Sequence, residues 1–146
     1  MNGANPDFAE AVRAAVLTMP AAVHLGFDFA RIEAGEVELT QPYRTELTEH
    51  NGFFQGGVLG MLCDFAGGSA AGTLLPVGWV NMTIDYTVKV FAPAKGDRLS
   101  VVGRVVKPGS TVTIAAADVY VPRAGAEPAH CATALVTLRN LNLSRS

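Results

Sequence analysis

Asp64 stands inside a stretch, Val58 to Val80, that is otherwise almost wholly apolar or small. On a helix its neighbours one turn away are Gly60, Met61, Gly67 and Gly68, so three of the four flanking positions carry no side chain. Glycine in a helix interior costs about 0.5–1 kcal/mol relative to alanine, so such a face is one that something approaches closely: a ligand, a partner helix or a strand. Glycines alone point to packing, whereas glycines around a mid-helix acid point to a ligand. The carboxylate is either bonded to neighbouring backbone, paired with a base such as Lys89, or desolvated and raised in pKa, the condition of a general base or nucleophile.

Gly56 and Gly57 begin the same apolar segment two turns earlier. The first amides of a helix lack internal partners and sit at its positive end, so they can receive an oxyanion or a polarised carbonyl. The helical rise puts Gly56 about 12 Å from Asp64 along the axis, which leaves the distance to a bound carbonyl open until the loop and a partner subunit are placed. Other chemistries compete poorly. His24, His50 and His130 are dispersed, Cys63 and Cys131 form no metal or redox motif, and no metal site is expected. Phosphate-binding glycine motifs and a serine nucleophile elbow are absent from the sequence. Cys63 is rotated by about 100° from Asp64 and faces elsewhere.

The elements that must position these groups follow from periodicity. Residues 6–18 form a lead helix, with Phe8, Val12, Ala15 and Val16 at helical spacing behind Pro6. Phe27–Ile32 and Glu36–Thr40 read as a hairpin, followed by a polar loop, Gln41–His50. One helix of about 30 Å then runs to Leu75. From Asn81 the period becomes two: Met82, Ile84, Tyr86, Val88 and Val90 form the expected buried face of a strand. Arg98–Val106, Thr111–Val121 and Ala129–Leu141 give three more strands between turn-rich separators, and 142–146 is expected to fray. The fold class is α+β, an antiparallel sheet around one unusually apolar helix, in a single domain spanning 1–146. One curved sheet covers only part of such a helix, so a second copy extending the sheet is expected.

With 146 residues, 49% hydrophobic and a net charge of −2, the chain has the composition of one compact domain. The apolar segment raises the membrane question, but Asp64, its glycines and Pro76 favour a helix buried inside a soluble protein. Two widely separated cysteines in apolar surroundings and an N-terminus without a signal-like run make the cytoplasm the expected compartment. Residues 86–123 carry six bases against two acids, a patch suited to a phosphorylated ligand or to solvated strand edges. Without aromatic-basic interleaving, nucleic acid is not an expected partner.

The run Glu49-His50-Asn51-Gly52-Phe53-Phe54-Gln55-Gly56-Gly57, continued to Asp64-Phe65-Ala66-Gly67-Gly68, resembles the helix motif of hotdog-fold acyl-CoA thioesterases of the phenylacetate-pathway (PaaI) and 4-hydroxybenzoyl-CoA thioesterase type. Asn81–Tyr86 and Phe91–Asp97 resemble the family's following strand and turn. The resemblance implies a hotdog fold and hydrolysis of an acyl- or aryl-CoA. Asp64 would be the catalytic carboxylate, as nucleophile or as base for water, Gly56 would offer its amide to the thioester carbonyl, and Thr83 would help hold the attacking water. Coenzyme A belongs to the substrate and no cofactor is implied. The expected assembly is a homodimer, or a dimer of dimers, with the site at a subunit interface.

Two positions depart from the pattern. The family's His before Gly-Gly is Gln55, which can orient or donate but cannot change charge near neutrality. Its Asn is Glu49, either a second carboxylate coupled to Asp64 or a surface loop acid, with Asn51 then supplying the amide. Gly57, Phe54, Met61 and Asn51 are the candidate substrate-binding residues; Phe53 and Trp79 are further candidates for lining an acyl or aryl pocket, against core packing as the plainer role. The departures keep open an alternative, an acyl-CoA binding or sensing module without catalysis.

Overall fold

The computed structural model describes residues 3–145. Its elements are α1 (Phe8–Val16), α2 (Pro20–Leu25), β1 (Asp28–Glu33), β2 (Glu36–Pro42), α3 (Gly56–Gly72), β3 (Trp79–Val90), β4 (Arg98–Lys107), β5 (Val112–Val121) and β6 (Ala129–Asn142). All six strands form one antiparallel sheet in the order β1-β2-β4-β5-β6-β3, with α3 laid across it. A long helix laid across one antiparallel sheet is the α+β architecture expected from the sequence.

Helix α3 starts where Gln55 caps it, its Oε1 accepting from the Val58 amide. It ends at Gly72, three residues short of the expected Leu75, because the Thr73 hydroxyl donates to the Ala70 carbonyl and the chain turns before Pro76. The same hydroxyl accepts from the Gly35 amide, which ties the helix end to the β1–β2 turn. Leu59, Leu62, Cys63, Ala66 and Ala70 are buried against the sheet, and each fully buried leucine contributes about 1.5–3 kcal/mol. No helix among the described residues is long and apolar enough to cross a membrane.

Glycines let the helix come this close. A Cβ at Gly103 of β4 would lie 2.2 Å from the Ala66 carbonyl oxygen, and one at Gly67 would lie 2.9 Å from Val136 Cγ2. Gly60 likewise meets the Tyr86 ring. Most of the bare strip around Asp64 is therefore helix-on-sheet packing rather than ligand space, and only Gly68 of these glycines lines a cavity with the acid.

Four expectations are corrected. Helix α2 was not foreseen; it has Pro at its first position and Gly26 in the left-handed conformation at its end, but six residues are too few to show a period. Gln41 is not in a polar loop: it belongs to β2, is fully buried, and donates to the Leu25 and Pro42 carbonyls. Asn142 does not fray but closes β6 opposite Trp79, and Leu143–Arg145 form a 3-10 turn; Ser146 lies outside the described residues. The fourth concerns β3. A bulge at Ile84, between the pairs Thr83–Leu138 and Asp85–Thr137, reverses the alternation. Asn81 and Thr83 before it, and Tyr86 and Val88 after it, all face α3, while Met82 and Ile84 are 57% and 61% exposed.

Replacing Gly103 by Ala is expected to destabilise the protein by about 1–3 kcal/mol, since the new methyl must push backbone apart. Urea unfolding of the two proteins checks this; equal midpoints would show that the helix does not sit this close.

Candidate active site

Asp64 projects from the third turn of α3 at the flank of the core, half-buried. Thr83 Oγ1 donates to its Oδ1 at 2.5 Å, and Asn81 Nδ2 donates to the Gly68 carbonyl at 3.0 Å, so β3 is fastened to the helix at the acid. Burial raises the carboxyl above the usual aspartate value, and the Thr83 hydrogen bond offsets part of that rise. No ion pair reaches Asp64 among the described residues. A cavity of about 200 Å³ opens beside it, lined by Val16, Met19, Phe65, Gly68, Ser69 and Asn81 as well as Asp64 and Thr83. A carboxylate with one oxygen held by a hydroxyl and a raised pKa, facing a cavity, is equipped to take a proton from water.

The helix start offers the complementary group. Gly56 and Gly57 are exposed, their amides make no hydrogen bond among the described residues, and the space beside Gly56 is open. Gln55 uses its carbonyl oxygen as the helix cap, and its Nε2 donates to nothing among the described residues. Eight residues separate Gly56 from Asp64, about 12 Å of helix axis.

The loop residues are arranged differently from the coupled-acid alternative. Glu49 accepts from the Asn51 amide at 2.6 Å, the Phe53 amide at 3.0 Å and Asn51 Nδ2 at 2.9 Å. These bonds hold its carboxyl below the ordinary glutamate value, the reverse of a proton-bearing acid. Glu49 braces its own loop, and the Asn51 amide is used in that brace. Phe54 is 3% exposed and packs edge-on to Tyr43 in the core, away from solvent. Met61 is 39% exposed on α3, one turn before Asp64. Phe53 is half-buried, with Lys95 Nζ 5.7 Å from its ring centre.

Burial pushes the Cys63 thiol up to about 12, so it holds its proton at neutral pH. Neither cysteine is paired with the other. Nowhere among the described residues do three metal-ligating side chains converge. His130 pairs with Asp118 at 2.8 Å and stacks on Tyr120, outside the Asp64 cavity. The sequence reading missed Val16, Met19, Ser69 and Asn81 as neighbours of the acid. Asn81 had a signal, a polar residue two before Thr83; the others depend on how α1 is placed. The Ser69 hydroxyl is buried without a hydrogen-bond partner among the described residues.

No protein-family model matches the chain. A Halobacterium salinarum protein named "Putative esterase" is 38% identical over 115 residues, 74% of this chain and 76% of that protein. A thioesterase family protein from Silicibacter pomeroyi has a crystal structure that superposes with a TM-score of 0.88 at 35% identity, covering 92% of this chain and 98% of that one. The Escherichia coli PaaI protein of the phenylacetic acid degradation operon shares the fold, with a TM-score of 0.78 at 18% identity over 92% of this chain and 93% of its own.

Replacing Thr83 by Val removes the donor while keeping the shape. The charged form of Asp64 then loses its hydrogen bond, so its pKa is expected to rise further. Carboxyl-carbon NMR titration of both proteins measures this, and an unchanged or lower value would show that the hydrogen bond does not stabilise the carboxylate.

Proposed function

The chain belongs to the hotdog-fold thioesterase family, and from that premise we propose that it hydrolyses acyl-CoA through attack of a water molecule activated by Asp64. The observation that carries this reading is the half-buried Asp64, held by Thr83 at the edge of a cavity. Water gives a proton to the carboxylate as its oxygen bonds to the thioester carbon. The carbon–sulfur bond breaks, and the proton passes to the departing CoA thiolate. Water, carboxylate and backbone amides suffice for this chemistry, so no cofactor is required; CoA enters as part of the substrate. Asp64 must be ionised to act, so activity falls as pH drops through its raised pKa.

The oxyanion partner is the Gly56 amide, with Gln55 Nε2 beside it as a second donor, and we assign it to a second copy of the chain. Two observations support a dimer. Asp64 and Gly56 of one protomer stand about 12 Å apart along the helix axis, a long span for one carbonyl to bridge. Strand β3, at the sheet edge, is 12 residues long and leaves Val80, Met82, Ile84, Tyr86 and Val90 exposed, a surface that invites strand pairing. The other edge, β1, has 6 residues and is blunted by Arg31 among Glu33, Glu36 and Glu38. A dimer of dimers is the larger assembly compatible with this arrangement. Buried, unpaired cysteines suit a reducing compartment, and we place the protein in the cytoplasm. The binding-only alternative is not favoured, because the relatives are named as hydrolases.

Asp64→Asn is expected to reduce thiol release from acyl-CoA by about a hundredfold or more at matched folded concentration. Gly56→Pro removes the amide at a position where proline is tolerated, and is expected to be similarly impaired. Unfolding the two variants together and refolding them at equal amounts should restore about a quarter of wild-type activity, because half the dimers are mixed and each carries one intact site. Full activity in Asp64→Asn would sink the mechanism; activity lost in each variant but not recovered on mixing would place both groups in one subunit.

A further inference from the structure

Three cavities run end to end from Asp64 along the underside of α1. The first, of about 200 Å³, contains Asp64 and Thr83. The second, of about 160 Å³, shares Val16, Met19, Ser69 and Asn81 with it and continues past Gly72 to Trp79. The third, of about 130 Å³, shares Ala11, Gly72, Leu75 and Trp79 with the second and ends at Pro76 and Val77, beyond the end of α3. Helix α1 roofs this groove and α3 floors it. The middle cavity is mostly apolar, whereas the far one, which Asn5 also lines, is as polar as it is apolar; Asn81 already spends its amide on the Gly68 carbonyl, and the Ser69 hydroxyl is buried without a partner among the described residues.

Gly72 differs from the packing glycines. A Cβ there would lie 3.7 Å from Val12 Cγ2 and 3.8 Å from Asn81 Nδ2, ordinary contacts, and its backbone is not left-handed. Nothing in the helix-to-sheet approach forbids a side chain at 72, yet any side chain longer than alanine would fill the groove. The bare position keeps the groove open beyond its midpoint. From Asp64 to Gly72 the helix rises about 12 Å, the length of an extended chain of about eight to ten carbons. A single aryl ring would occupy only the part beside Asp64.

Resting on the thioesterase reading, we propose that this groove is the acyl subsite, that it selects straight acyl chains of about eight to ten carbons, and that the bare Gly72 admits the far end of the chain. Each methylene drawn from water into the groove improves binding by about threefold to fourfold, so chain length is read as a steep series with a break where the groove ends.

The test measures kcat/KM for acetyl-, hexanoyl-, decanoyl-, tetradecanoyl- and benzoyl-CoA with wild type, Gly72→Leu and Gly72→Ala. Equilibrium binding of acetyl- and decanoyl-CoA is measured in parallel on Asp64→Asn with and without Gly72→Leu. Wild type is expected to rise steeply to decanoyl-CoA and then level, with benzoyl-CoA well below it. Gly72→Leu should lower decanoyl-CoA turnover by more than about tenfold while leaving acetyl-CoA within about twofold, and Gly72→Ala should keep the wild-type profile. A flat series, or equal losses for acetyl- and decanoyl-CoA in Gly72→Leu, overturns the groove and leaves the hydrolase standing. No turnover of any thioester, with decanoyl-CoA still bound preferentially and that preference lost in Gly72→Leu, overturns the hydrolase and supports the groove. Neither turnover nor length-dependent binding overturns both.

Discussion

Helix α3 rests on the sheet with almost nothing between the two backbones, and the rest of the molecule is arranged around that contact. Gly103 admits the Ala66 carbonyl where a methyl would collide with it, and Gly67 admits Val136. Packing this tight wraps Leu59, Leu62, Cys63 and Ala66 completely. It also decides what an acid on the same helix can do. A carboxylate driven into that interface would be desolvated with no partner, at a cost of several kcal/mol. Asp64 instead lies where the helix meets the flank of the sheet, desolvated enough to be raised in pKa and close enough to β3 to be held by one hydroxyl.

One extra residue in β3 makes that hold possible. Strict alternation would send Thr83, Asp85 and Thr87 to one face and Ile84, Tyr86 and Val88 to the other, so a strand covering the helix with its apolar side would turn Thr83 away from Asp64. The bulge at Ile84 changes the parity midway. Asn81 and Thr83 reach the helix at the acid, and Tyr86 and Val88 then cover Gly60. The strand thus serves the site in its first half and the core in its second. Ile84 and Met82, left outside, become part of the exposed apolar edge.

The long-period features of this fold were legible in the sequence and the local exceptions were not. Strands β1 and β2, the long helix and the four following strands announce themselves through alternation, helical spacing and turn residues. A bulge has no compositional mark: Met82-Thr83-Ile84-Asp85-Tyr86 reads as unbroken alternation, and only the pairing with β6 exposes the shift. Glu49 was ambiguous for a similar reason. Its acidity is plain from sequence, but whether it faces another carboxylate or its own loop depends on the turn at Gly52, whose left-handed backbone brings the Asn51 and Phe53 amides to it. Phe54 had the composition of a pocket wall and went to the core. The groove beneath α1 was beyond reach, because residues 11–19 and 64–79 meet only through tertiary packing.

The proposed dimer links two separate features of the chain. Its sheet ends in a long apolar strand with unsatisfied backbone groups, an edge that soluble proteins ordinarily shorten, charge or cover. The β1 edge is short and ringed by the charges around Arg31, whereas β3 is long and, beside Asp85 and Lys89, leaves Val80, Met82, Ile84, Tyr86 and Val90 exposed. Asp64 and the exposed helix-start amides of Gly56 and Gly57 stand about 12 Å apart along one helix. A second copy paired along β3 would cover the apolar edge and, by two-fold symmetry, carry its own helix start across to Asp64. The exposed apolar edge lies on the strand that bears Thr83, so pairing along β3 would bring a second copy into the region of Asp64.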